Sequence, residues 1–95
     1  MESRIFLVDD DKFLLDLYSI KFKNAGYELG VFTGGEELLA ELRKGEAVPD
    51  AILLDVIMPG MSGFDTLAAI RKEKLVPGTA IIFLSNQGQD PDLEK

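Results

Sequence analysis

The stretch AILLDVIMPGMSGF, residues 51–64, decides how the rest of this sequence is read. Ala51 to Leu54 is a short unbroken apolar run, the pattern of a strand buried on both faces of a parallel sheet. Asp55 then places a carboxylate at the end of that run, and the chain turns through Met58, Pro59 and Gly60. An unpaired charge inside a core strand is costly, so the strand must leave the core at this point and meet something there.

Two further runs have the same character, Ile5 to Val8 and Ala80 to Leu84, while Glu28 to Phe32 alternates more and suits an edge strand. Helical patterns lie between them. Over Lys12 to Asn24, the residues Phe13, Leu14, Leu17, Ile20 and Tyr18 are expected to share one apolar face, with Gly26 as the stop. Over Gly35 to Lys44, Leu38, Leu39 and Leu42 form a stripe closed by Gly45, with Thr33 and Glu36 at capping-box spacing ahead of it. Ser62 and Asp65 show an acidic variant of that spacing, followed by Phe64, Leu67, Ala68 and Arg71 at helical intervals. Pro77 and Gly78 break the chain before the last run, and Asp90-Pro91-Asp92-Leu93-Glu94 reads as the start of a further helix.

Composition narrows the chemistry. The 95 residues suit one domain. With no cysteine and no histidine, disulfides, thiolate zinc sites and imidazole bases are excluded, so any metal must be an oxygen-preferring ion such as magnesium, calcium or manganese. A net charge of −7 argues against nucleic-acid binding. No stretch reaches the ~20 apolar residues of a membrane span, and the expectation is a cytoplasmic protein that does not engage a membrane.

Alternating strands and helices imply an open parallel sheet with helices on both faces, in which ligands bind beyond the carboxyl ends of the strands. Asp55 stands at such an end; so do Asp9 and Asp10 after the first run, and Ser85 after the last. If the first and third runs are neighbours, these side chains converge. Clustered carboxylates must share a proton or a cation, and a hard divalent cation suits an all-oxygen site. An ionised Asp55 beside it can act as a nucleophile toward a phosphoryl group, and Ser85 can donate to a phosphoryl oxygen.

Three blocks of residues, Ile5-Phe6-Leu7-Val8-Asp9-Asp10, the run from Leu53 to Gly63 containing Asp55-Val56-Ile57-Met58-Pro59-Gly60, and Phe83-Leu84-Ser85, resemble the receiver domain of two-component response regulators. The resemblance covers nearly the whole chain. It implies a flavodoxin-like three-layer α/β/α fold with strand order 2-1-3-4. It further implies that Asp55 takes phosphate from a phosphohistidine on a sensor histidine kinase or histidine phosphotransfer protein. By the same resemblance Mg2+ is held by Asp10 and Asp55 directly, by Asp9 mainly through water, and by the backbone carbonyl of Ile57. Ser85 would hydrogen-bond the phosphoryl group and couple it to the neighbouring surface. Asp11 reads as a helix cap, and Met58, Pro59 and Gly63 as structural residues of the loop.

The family also has a lysine at the end of a fifth strand and an aromatic residue earlier on it, which this sequence does not reach. The expectation is therefore a receiver domain over residues 1–95, truncated within the fourth helix, with the fifth strand and last helix missing. The fourth strand would then be an exposed edge, open to self-association or strand exchange. Lys12 reads as a solvated side chain, with partial replacement of the missing lysine as the alternative. Asn86 stands where many receivers carry a smaller residue, and Ile57 offers no side-chain acceptor to orient water. Two other readings stay open: a receiver-like interaction module that is not phosphorylated, and a haloacid-dehalogenase-type phosphatase using Asp9 as nucleophile and Asp11 as acid/base.

Overall fold

The computed structural model describes residues 3–84. Four parallel strands alternate with three helices: β1 (Arg4–Val8), α1 (Lys12–Asn24), β2 (Glu28–Phe32), α2 (Gly35–Lys44), β3 (Ala51–Asp55), α3 (Gly63–Lys72) and β4 (Ala80–Leu84). The sheet order is β2-β1-β3-β4, as the flavodoxin-like reading requires. β2 lies at one side of the sheet and β4, among the described residues, at the other. Ser85 and the expected helix start at Asp90–Glu94 lie outside the described residues.

The period of two along each strand sorts its side chains between two cores. Phe6 and Val8 of β1 and Ile52 and Leu54 of β3 face α2 and α3, where they pack with Leu38, Leu39, Leu42, Met58 and Ile70. Ile5, Leu7 and Leu53 face the opposite way and pack with Leu15 of α1, flanked by Tyr18, Phe22, Leu29 and Leu84. Continuous apolar strands are what this arrangement needs, because both faces of β1 and β3 are covered. Full burial of a leucine such as Leu38 stabilises the fold by about 1.5–3 kcal/mol.

α1 differs from its sequence reading. Phe13 is 69% and Ile20 60% exposed, and Leu17 is exposed as well. The buried face is carried by Leu15 and Phe22, joined by Tyr18 from the expected set, and lies opposite Phe13, Leu17 and Ile20. The helix has two apolar stripes, and periodicity does not say which one meets the sheet. α3 shows a similar difference, since Thr66 and Ile70 are its buried side chains while Phe64 is exposed and leans against Phe83 with ring centroids 4.9 Å apart.

Local signals set the helix ends. Asp11 caps α1 by accepting from the N–H groups of Phe13 and Leu14 at 2.9 and 3.3 Å. The Ser62–Asp65 capping box forms at the start of α3. The Thr33–Glu36 box does not: α2 begins after Gly34, and Glu37 instead accepts from the Thr33 N–H at 2.8 Å. α1 ends with Gly26 at φ 96°, where Gly26 N–H donates to Lys23 O and Tyr27 N–H to Phe22 O, each at 3.0 Å. α3 ends the same way, with Lys74 at φ 58° in the position Gly26 holds, donating to Arg71 O while Leu75 N–H donates to Ile70 O.

Candidate functional site

β1 and β3 are hydrogen-bonded neighbours in a register that pairs Val8 with Leu54. One residue further on each strand come Asp9 and Asp55, so parallel pairing places two acids side by side at the carboxyl edge of the sheet. By alternation both belong to the face of Ile5, Leu7 and Leu53. Both backbones are anchored: Asp9 N–H donates to Phe32 O at 3.1 Å, and Asp55 is paired with Leu84 in β4.

The two acids are buried, Asp9 at 2% and Asp55 at 5% exposure, and the neighbouring Asp10 is exposed. One carboxylate oxygen from each of Asp9, Asp10 and Asp55 lies within 4.8 Å of the others. This convergence is what the spacing of the motifs anticipated. Asp9 also accepts from the Asp11 N–H at 2.9 Å, which shapes the turn into α1.

Electrostatics marks the cluster as uncomfortable by itself. Burial, then the charge of Asp9, then a hydrogen bond with Asp9 and the charge of Asp10 push the Asp55 pKa up to about 6. Against these, the backbone N–H of Ile57 helps hold the Asp55 carboxylate ionised. Burial likewise raises Asp9, offset in part by the Asp11 backbone. Three carboxylates with two buried members, to which no cationic side chain among the described residues is bonded, form a donor set that fits a hard divalent cation.

The other sequence candidates fall as follows. Ile57 sits at the rim two residues beyond Asp55, with its side chain 60% exposed. Lys12 opens α1 and is exposed, in keeping with a solvated side chain. Asp11 caps α1 through one carboxylate oxygen, as its sequence reading expected. Ser85 lies outside the described residues. Sequence reasoning missed the role of Thr66, whose hydroxyl donates to Ser62 O at 2.8 Å from one turn along α3. A threonine four residues after the capping position, able to bond the carbonyl one turn back, was the available signal.

Comparison with known proteins bears on this geometry. Residues 5–95 match the family described as response regulator receiver domain. The DNA-binding response regulator MtrA of Mycolicibacterium smegmatis is 36% identical over 77 residues, covering 81% of this chain and 33% of that protein. Regulatory protein VanRc of Enterococcus gallinarum is 35% identical over 92 residues, covering 97% of this chain and 38% of that protein. This chain thus spans little more than a third of the length of these relatives. Among solved structures, the chemotaxis protein CheY4 of Vibrio cholerae superposes with a TM-score of 0.83 at 31% identity, covering 99% of this chain and 76% of that one.

Proposed function

The chain belongs to the response regulator receiver domain family, and from that premise we propose that Asp55 is its phosphoacceptor, fed by a phosphohistidine on a sensor histidine kinase or histidine phosphotransfer protein. An Asp55 carboxylate oxygen forms the new P–O bond as the N–P bond of the donor breaks, and the departing imidazole takes up a proton. The observation that carries this reading is the meeting of Asp9, Asp10 and Asp55 at the ends of adjacent strands.

Receiver domains typically bind magnesium, and the three acids fit it. Asp9, Asp10 and Asp55 would hold the ion, with the Ile57 carbonyl as a further ligand. A bound magnesium supplies positive charge that keeps the acids ionised and offsets the charge of an incoming phosphoryl group. The chain's own residues do the rest. β1 and β3 hold the carboxylates in register, the Ile57 N–H favours the ionised and hence nucleophilic form of Asp55, and Ser85 donates to the phosphoryl group and passes its presence to the adjoining surface.

The relatives' DNA binding is a property of longer proteins. We assign no nucleic-acid contact to this chain, whose net charge of −7 opposes one. Intact mass after incubation with acetyl phosphate and magnesium tests the proposal. The expected result is the gain of one phosphoryl group, lost in Asp55→Ala and lost without magnesium. No gain in the intact chain would favour the unphosphorylated interaction module. A gain that persists in Asp55→Ala would remove Asp55 from the reaction.

A further inference from the structure

The first turn of α3 rests directly on the strand end that carries Asp55. A Cβ built on Gly63 would collide with the carbonyl oxygen of Asp55 and lie 2.9 Å from Val56 Cα and 3.1 Å from the Asp55 carbonyl carbon. All three are backbone atoms, so no side-chain rotation relieves the overlap. Gly63 N–H also donates to Val56 O at 2.8 Å, which ties the helix start to the residue after Asp55.

The helix has little freedom to recoil. Ser62 and Asp65 lock its first turn in a capping box, and the Thr66 hydroxyl donates to Ser62 O. Thr66 is itself fully buried against Gly35 at the start of α2, where a Cβ on Gly35 would meet Thr66 Cβ at 3.2 Å and Met61 Sδ at 3.1 Å. Two glycines thus allow a wedge: α2 presses on Thr66, Thr66 holds the Ser62–Gly63 turn, and that turn seats on β3 at Asp55.

We propose that Gly63 is a positioning residue for the acidic site, its bare Cα letting the α3 turn set where the Asp55 carboxylate stands relative to Asp9 and Asp10. The inference rests on the reading of those three acids as the magnesium site. A shift of Asp55 separates the carboxylates unevenly, and a small, geometrically demanding ion such as magnesium is sensitive to that.

The test is magnesium affinity by titration, together with amide chemical shifts of the magnesium-free chain, on Gly63→Ala, Thr66→Val and Ile70→Ala. Ile70→Ala is the destabilised control at the far end of the same helix. Thr66→Val keeps the side-chain shape and leaves Ser62 O bonded to the Thr66 N–H at 2.9 Å, so it retains the fold if Gly63→Ala does not. We expect Gly63→Ala to raise the magnesium Kd about tenfold or more, Thr66→Val severalfold, and Ile70→Ala by less than about twofold. The Asp9 and Asp10 amide signals should move in the first two variants and not in the control. Unchanged affinity and unchanged Asp9 and Asp10 signals in a folded Gly63→Ala or Thr66→Val chain overturn the positioning role. Absence of magnesium binding in the unaltered chain overturns the metal-site reading instead, and the amide shifts still decide whether Gly63 places Asp55.

Discussion

Asp9 and Asp55 stand side by side at the carboxyl ends of β1 and β3, each with a carboxylate oxygen within 4.8 Å of the other, although both are acids and both are buried. A pair of this kind holds its protons more tightly in the folded chain than in the unfolded one. Between the ordinary carboxylate value of 3.8 and about 6 the native state therefore binds more protons. Without divalent ions, the contribution of this pair to stability is fully present at low pH and is lost as pH rises through about 6. Other carboxylates act in the opposite sense, because the Thr33 N–H holds Glu37 below its usual range and Arg43 holds Glu73 below its own. Asp55→Asn isolates the effect. In urea unfolding it should be more stable than the unaltered chain at pH 7.5, with the gap closing toward pH ~4.5. Magnesium should stabilise the unaltered chain and not the variant.

Lys74 occupies a left-handed backbone position, at φ 58°, where α1 uses Gly26. A side chain there strains the backbone by roughly 1–2 kcal/mol, and glycine does not. Lys74→Gly should therefore stabilise the fold by about 1 kcal/mol after the entropy cost of glycine, visible as a rise in Tm of about 4–8 °C. Gly26→Ala should lower it by a similar amount. An unchanged or lower Tm for Lys74→Gly would contradict this account of the α3 end.

The two apolar stripes of α1 can be told apart by truncation. Leu15→Ala opens a cavity against Ile5, Leu7 and Leu53 and should cost about 2–5 kcal/mol. Ile20→Ala removes a side chain that is 60% exposed, and its cost should stay within about 0.5 kcal/mol. Equal losses in thermal unfolding would place the sequence reading of this helix above the structural one.

Ile57 projects an aliphatic side chain, 60% exposed, at the rim of the acidic site. It can neither orient nor activate a water molecule for attack on an aspartyl phosphate. Phosphate on Asp55 should therefore be lost slowly, and Ile57→Asn, which supplies a polar group at that place, should shorten its half-life severalfold. Phosphorylated chain measured by mass over time gives the answer, and an equal or longer half-life in Ile57→Asn refutes it.

The sequence by itself determined the strands, because runs such as Ile5–Val8 and Ala51–Leu54 are too short and too apolar to sit anywhere but in a covered parallel sheet. It also determined where the acids belong, since a charge at the end of such a run has only the strand's exit available to it. Local chemistry was legible too at Asp11, Ser62 and Gly26, where the capping groups act within a few residues. Only the tertiary structure decided which stripe of α1 is buried and which meets solvent, because both have helical spacing and the choice depends on what the sheet presents. It alone showed that Asp9 and Asp55 are the buried pair while Asp10 is exposed, since that follows from the β1–β3 register. Gly63 was legible as a structural residue that lets backbones approach, but that the approach is to Asp55 was not, because its partner is set by two helices pressing toward a strand end.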